Sequence, residues 1–490
     1  MKKVFILCAS ILLSVAAMAQ NDIDAFRFSQ VNWSGTARFM GAGGAFGSIG
    51  GDFSALATNP AAIGLYKKDE ITFTPVVINA IGSKSIYNGE EVDDGSVRYS
   101  LTNFGAVFSW RLNPDPENPV TKWRMMQFGV GYNRINDFNN RISSTGLSNG
   151  SSWTNNVVNM SNGVHYNNLS HDGLAAWNTW LLDTLPGSED EYVSYLNGHN
   201  LRQENYTKIK GGIDEMNFSI GGNYDDKLFL GFTLGVPFLD YESETEYSEN
   251  DENNEIGGFN SFTTVEKLRT TGVGVNAKLG IIYRPVEFFR FGISFHTPTY
   301  YANLKENYER KVNSYFEDNN YEDSYENISK YKLATPLRVM GSVGFTIAKR
   351  AFISAEYEFA DYSMANLFSS ESPMYRYNFK DENLAIKNKY GASHTVRVGA
   401  ELAITNVFHI RTGYAYSSSP FKNSSNTGDS HNICAGIGLY GKVFFCDFAY
   451  VCRIARESMW YYNDVDVVAL NPVEVNNVNH KFAATFGVRF

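Results

Sequence analysis

The sequence predicts an all-β chain: a fourteen-stranded antiparallel transmembrane β-barrel with its N-terminal segment plugging the lumen. Three observations predict it. Segment after segment alternates apolar and polar residues with period two. Short connections alternate strictly with long ones. After the first 19 residues no apolar run reaches the ~18 residues a membrane helix needs. The 490 residues include 30 Tyr, 35 Phe and 42 Gly but only 13 Pro, a composition of strands and turns rather than disorder. A net charge of −10 argues against a nucleic-acid partner, which needs a basic face.

Residues 1–19 read as a secretory signal. Lys2 and Lys3 form the charged start, Val4 to Val15 the apolar stretch, and Ala17-Met18-Ala19 the cleavage site before Gln20. Cleavage removes Cys8 and leaves Cys434, Cys446 and Cys452, an odd number and no disulfide framework.

Residues 20–69 do not read as strands. Gly35, Gly41, Gly43, Gly44, Gly47, Gly50 and Gly51 crowd the segment, with Ala and Ser between them. Small residues let a backbone pack closely in a confined space, so this segment is expected inside the barrel as a hatch. A phosphate-binding loop is the competing reading. Gly41-Ala42-Gly43-Gly44-Ala45-Phe46 fails the glycine spacing at its last position, and no Walker lysine follows.

Residues 70–490 carry the barrel, with strands at 70–80, 101–112, 123–136, 213–224, 227–241, 271–283, 288–301, 335–348, 351–362, 393–404, 407–417, 431–439, 442–455 and 479–490. In the last, Phe482, Ala484, Phe486, Val488 and Phe490 share one face, and Lys481, Ala483, Thr485, Gly487 and Arg489 the other. An apolar face against a small, polar face is the lipid-out, lumen-in code of a membrane barrel. A soluble sandwich also alternates, so connection lengths decide. Asn113 to Lys122, Asp225-Asp226, Arg284 to Glu287, Lys349-Arg350, Thr405-Asn406 and Tyr440-Gly441 are short, and the connections between them are long, the longest being 137–212. Tight periplasmic turns alternating with long extracellular loops fit an outer-membrane barrel. This phase puts Cys446 and Cys452 on the lipid face and Cys434 in the lumen, where no bridge can form between them.

The stretch Gly44-Ala45-Phe46-Gly47, Gly51-Asp52-Phe53-Ser54-Ala55-Leu56, Asn59-Pro60-Ala61 and Gly64-Leu65 resembles the hatch of the outer-membrane long-chain fatty-acid transporters, the FadL-type family that includes toluene-uptake channels. The resemblance covers residues 35–65 closely and the remainder by architecture. It marks Asp52, Asn59, Pro60, Ala61 and Gly64 as the hatch motif. The family usually reads Asn-Pro-Ala-Gly, whereas Ala62 and Ile63 precede Gly64 here. Asn59 can bond its own backbone and Pro60 fixes φ, which makes a rigid corner. A strand ending on Phe490 resembles the C-terminal signal read by the barrel-assembly machinery.

The resemblance implies a bacterial outer-membrane protein, monomeric by family default and surrounded by lipid and lipopolysaccharide. It implies passive uptake of hydrophobic small molecules such as fatty acids, gated by hatch movement, with no cofactor. Capture is expected on the 137–212 loop, where Ser170 caps a helix bearing Leu174, Trp177, Leu181 and Leu185, broadened by Trp180 and Leu182 and ended by Pro186-Gly187. Strand phase points Lys278, Arg290, Arg338, Arg397 and Arg411 inward as candidate head-group cations, alongside Glu356, Glu358, Glu401 and Asp447. Phe229, Met340 and Phe445 also face in. The acidic runs Glu242 to Glu255 and Glu317 to Glu326 read as solvated loops without calcium-loop spacing. His165 and His171 share a loop but form no metal set. Competing readings are a haemin or other receptor using the large loops, an outer-membrane enzyme and an open polar porin. No nucleophile elbow supports the enzyme, and a filled lumen opposes the porin.

Overall fold

The computed structural model describes residues 21–32, 34–112, 121–348, 350–370, 377–423, 427–462 and 471–490. The signal segment 1–19, most of the expected turn from Asn113 and Lys349 of the Lys349-Arg350 turn lie outside the described residues. One antiparallel sheet closes on itself. Its wall strands are β1 (Glu70–Tyr87), β2 (Asn103–Arg111), β3 (Trp123–Asp137), β4 (Arg202–Tyr224), β5 (Leu228–Asn250), β6 (Phe259–Val286), β7 (Phe289–His296), β8 (Arg338–Ile347), β9 (Ala351–Asp361), β10 (Ala392–Ala403), β11 (Phe408–Ser417), β12 (Ser430–Tyr440), β13 (Phe444–Met459) and β14 (Val473–Arg489). Each pairs with the next. β14 returns to β1 with Glu70 opposite Arg489 and Ile86 opposite Glu474. All fourteen expected segments contain a wall strand. Between β4 and β5, Asp225 and Asp226 both take positive φ, 52° and 53°, as the tightest hairpins require.

The faces follow the alternation. Val273, Val275, Leu279 and Ile281 of β6 point outward and are exposed, as are Phe482 and Phe486 of β14. Between them Lys278, Ile282, Ala483 and Thr485 are buried inward. Cys434 is buried, Cys446 and Cys452 are half-buried, and all three are free thiols.

The wall stands taller than the alternation predicts. Glu90–Ser100, Asn140–Leu147, Tyr300–Phe316, Asn320–Ala334 and Asn366–Ser369 prolong β2, β3, β7, β8 and β9 on the extracellular side. The acidic runs expected as solvated loops are therefore largely strand, through Asn250 in the first case and from Asn320 in the second. Cross-strand charge explains the correction. Glu242 lies opposite Lys210 and Arg269, and Glu244 opposite Lys208 and Lys267. Opposite charges on directly facing residues stabilise a pair of strands, and like charges do the reverse.

Residues 137–212 are likewise not one loop. After the Asn140–Leu147 extension come helices Trp153–Ser161 and His171–Asn178 and a two-stranded ribbon, Asp183–Thr184 against Tyr192–Val193. Trp153, Val157, Ala176, Leu181 and Tyr192 pack with Phe259 and Phe262 of β6 into one apolar cluster. The result is a small folded cap seated on the tall strands.

Candidate functional site

The lumen is filled by the chain that precedes β1. Helix α1 (Asn21–Arg27) is followed by α2 (Ala37–Gly41) and by two 3-10 helices, Phe53–Ala57 and Pro60–Leu65. Short polar side chains start each of the last three. Thr36 caps α2 by accepting the Phe39 N–H. Asp52 accepts the Ser54 N–H at 2.9 Å and the Thr36 hydroxyl at 2.8 Å. Asn59 accepts the Ala61 N–H at 3.0 Å and donates to Gly47 O at 2.7 Å. Asn59 is thus both the N-cap of its own turn and a tie to the preceding loop, a use of Asx chemistry that sets a rigid corner.

Glycines on the wall make the seat for this corner. A Cβ on Gly231 of β5 would lie 2.2 Å from the Pro60 carbonyl carbon, and one on Gly280 of β6 would lie 2.0 Å from Asn59 Oδ1. Gly221 pairs with Gly231, which pairs with Gly280; Gly231 and Gly280 present bare backbone to Asn59-Pro60-Ala61, and Gly221 beside them faces Ile63. Gly64 approaches Gly222 in the same way; a Cβ there would meet its carbonyl oxygen at 2.8 Å. On the outer surface this stretch of wall carries an apolar groove of about 670 Å³, lined by Trp123, Met126, Ile220, Phe232, Leu279 and Phe295 among others.

All five expected lumen cations face inward, and each has a partner. Lys278 pairs with Glu215. Arg290 donates to Ile49 O of the hatch at 2.6 Å. Arg338 pairs with Glu358 at 2.6 Å and also holds Ser29 O. Arg397 bridges Glu356 at 2.6 Å and Glu358 at 2.5 Å. Arg411 joins Glu401 and Asp447, both at 2.6 Å, and Glu401 also takes Arg38 of α2 at 2.9 Å. Lys278, Arg338, Arg397 and Met340 line a cavity of about 80 Å³ between hatch and wall, whereas Arg290 and Arg411 do not. Phe229 packs against the hatch core. Sequence reasoning missed Glu215 and Arg38; the strand phase around Ile213 signals the former.

The capture helix departs from its expected form. Ser170 does cap it, accepting the Gly173 N–H at 3.1 Å, but the helix stops at Asn178, well before Pro186. Trp180 takes φ +58°, and the N–H groups of Trp180 and Leu181 return to Trp177 O and Ala176 O at 3.1 and 2.9 Å. That pairing is a Schellman closure with a left-handed residue in the position usually held by glycine. It divides the anticipated stripe. Leu181 and Leu182 are buried in the cap core, Trp177 packs at its margin, and Leu174, Trp180 and Leu185 are exposed. Phe490 closes the chain at the other end of the barrel, its backbone bonded to Asp69 and its ring exposed.

Helix α1 reaches up beneath the extracellular loops, where Phe28 packs with Tyr241, Tyr301 and Tyr331. Asp24 pairs with Arg27 at 2.5 Å, and Asp22 with Lys389 at 2.6 Å. Tyr331 Oη donates to Asp24 at 3.3 Å and to Glu306 of the Tyr300–Phe316 extension at 3.4 Å. Burial first, and the adjoining Asp24 carboxyl next, hold Glu306 well above the usual carboxylate range. Burial raises Asp24 as well. A carboxyl raised in the folded state contributes stability below its unfolded pKa and loses it as pH rises through the folded value. Protection of α1 against amide hydrogen exchange is therefore expected to weaken above the usual carboxylate range, by up to about 1.4 kcal/mol per pH unit per proton. Exchange of residues 21–28, corrected for intrinsic rate, measures it, and Glu306→Gln should flatten the slope. An unchanged slope in that variant refutes the assignment.

Among the described residues no group of three His, Cys, Asp or Glu converges as a metal site. The sequence comparison supplies the deciding observation. Residues 207–438 match the family described as "Outer membrane protein transport protein (OMPP1/FadL/TodX)". Over that stretch the chain is similar to the FadL/TodX family. That description is of an outer-membrane transport protein. Solved structures share its fold. A Pseudomonas aeruginosa FadL homologue superposes with a TM-score of 0.55 at 13% identity, covering 94% of this chain and 99% of that one. The P. putida toluene transporter TodX gives 0.52 at 12% identity, with the same coverage. No curated protein sequence matches.

Proposed function

We propose that this FadL/TodX-type protein is a passive channel for hydrophobic compounds such as long-chain fatty acids, opened by movement of the hatch. The observation that carries the reading is how the hatch is held. It contributes no strand to the wall, and among the described residues the backbone–backbone bonds that tie it to the barrel are Asn32 N–H to Ile135 O at 2.9 Å and, where it runs into β1, the mutual pair between Asp69 and Phe490 at 3.2 and 3.1 Å. Its other ties are side-chain bonds and close packing on glycine. The hatch can therefore shift without breaking the ladder that closes the barrel. The glycine-lined wall between the Asn59-Pro60-Ala61 corner and the outer apolar groove supports a sideways exit for cargo into lipid, since only backbone separates the two there.

Uptake of tritiated palmitate by cells tests the reading. Cells making the full protein are expected to take up palmitate faster than cells without it. Cells making a variant that lacks residues 21–60 are expected to admit small sugars as well. Palmitate uptake no faster than in cells without the protein, with the barrel inserted, would refute the proposal.

A further inference from the structure

Three of the eight histidines stand on the outer face of the wall, and each is held by a tyrosine of the preceding strand. Tyr357 Oη meets His394 Nδ1 at 2.7 Å, Tyr414 Oη meets His431 Nδ1 at 2.7 Å, and Tyr450 Oη meets His480 Nδ1 at 2.8 Å. The geometry repeats. The tyrosines lie opposite Val396, Ile433 and Phe482, in each case two residues from the histidine on the facing strand. The pairs occupy β9 and β10, β11 and β12, and β13 and β14, so they recur at every second strand. From His394 to His431, and again from His431 to His480, the position steps two residues toward the periplasm for two strands crossed.

That stagger sets the pairs level around the barrel. Two residues of rise are about 6.6 Å and two strand spacings about 9.6 Å, the slope of strands tilted by roughly 35°. The periplasmic ends agree. His394 lies 11 residues before Thr405, His431 10 before Gly441 and His480 10 before Phe490. Ten residues at ~3.3 Å, tilted by about 40°, climb roughly 25 Å, the height of the apolar band on such a barrel. Within that band the wall is apolar, with Val398, Leu402, Ile437, Phe482 and Phe486 exposed. The pairs thus stand where acyl chains end and outer-leaflet headgroups begin. The opposite wall differs. Phe238 of β5 and Val275 of β6, each 11 residues from Lys227 and Val286 at their periplasmic ends, are exposed there instead.

A tyrosine alone anchors a barrel by keeping its ring in lipid and its hydroxyl among headgroups. Here the hydroxyl turns to an imidazole. With the tyrosine donating to Nδ1, the ring carries its proton on Nε2. Among the described residues Nε2 of His394 and of His480 has no polar partner. That of His431 lies 3.5 Å from Asp429, long for a hydrogen bond. A phosphate accepts such a donor, and an imidazole that takes up a second proton donates to the phosphate from Nε2 and to the tyrosine oxygen from Nδ1. Neighbouring histidines stand roughly 12 Å apart, the resultant of the two steps above. One headgroup with a phosphate at each end of a disaccharide can therefore touch two pairs. We propose that the three tyrosine–histidine pairs of β9 to β14 form a docking belt for the phosphates of an outer-leaflet glycolipid with such a headgroup. The belt holds lipid against one half of the barrel and leaves the half bearing the outer apolar groove without these anchors.

The test compares radiolabelled lipid A carrying both phosphates with the same lipid after their removal, on the full protein immobilised in detergent. The wild type is expected to hold the phosphorylated form roughly tenfold more tightly, the value of one charge-assisted hydrogen bond. His394→Phe, His431→Phe and His480→Phe together keep ring bulk and should bring the two forms to parity. Lysine at the same three positions should keep the preference. Tyr357→Phe, Tyr414→Phe and Tyr450→Phe together release the imidazoles and should lower the preference about threefold, the value of a neutral hydrogen bond. Heat-modifiable gel mobility verifies that each variant is folded. Equal retention of the two forms by the wild type overturns the belt. So does a preference that survives loss of the three histidines, and so does release of the lipid by an equal concentration of inorganic phosphate, which marks a site for the free ion. Palmitate uptake is a separate readout, so the belt and the channel reading fail independently.

Discussion

Valine at position 231 is expected to unseat the hatch and turn a closed barrel into a leaking one. The Cβ alone would sit 2.2 Å from the carbonyl carbon and oxygen of Pro60 and 2.5 Å from Ala61 N. These are backbone atoms held by the Asn59 cap, so they cannot swing aside as a flexible side chain can. The outward direction is closed as well, because Gly231 is bonded into the wall between Gly221 and Gly280. Overpacking of this kind costs about 1–3 kcal/mol, enough to shift the ratio of seated to unseated hatch by roughly 5- to 150-fold. Planar-bilayer recordings should show conductance steps that the parent protein lacks. Gly341→Val is the control. A Cβ there meets nothing within 4 Å, so conductance should stay at the parent level. A silent Gly231→Val barrel would mean that the corner is soft and the seat unimportant.

The second large effect is expected at Arg397. Its guanidinium joins Glu356 and Glu358, and side-chain exposure at all three is 6% or less. Glu356 also accepts the Gly47 N–H of the hatch at 2.8 Å. Leucine at position 397 would leave Glu356 without a cation, while Glu358 would retain Arg338. Removing one partner of a buried pair costs about 3–5 kcal/mol, chiefly because the remaining charge is stranded. The unfolding temperature read by gel mobility should fall sharply. Adding Glu356→Gln should recover part of the loss by removing the stranded charge. No recovery would mean that Arg397 acts by packing rather than by charge.

Much of the wall was legible because lipid enforces a strict code. Every outward residue in the belt must be apolar, so Val273, Val275, Leu279 and Ile281 announce their strand. Above the belt both faces of the wall meet polar surroundings. Period two disappears there, and Glu242 to Asn250 looks like a loop when read alone. What makes it a strand is Lys208 and Lys210 on one neighbour and Lys267 and Arg269 on the other, a complementarity visible only once register is known. The same limit applied in the lumen. Phase placed Lys278, Arg397 and Arg411 inward, but not the acid each would meet. The Schellman end of the capture helix was hidden because tryptophan gives no warning of a left-handed backbone. The hatch corner was legible, since Asn-Pro is local chemistry that needs no partner elsewhere.

The seam where β14 meets β1 has a consequence for biogenesis. The plug is synthesised first and the strand that completes the cylinder last. The plug adjoins β1, and the seam runs almost the whole height of that strand. Enclosure therefore comes when the final hairpin zips, so the wall is wrapped around its occupant rather than the occupant threaded into a finished tube. Mutations that slow the zipping of β14 thus prolong the time in which the small-residue plug stands uncovered in the periplasm.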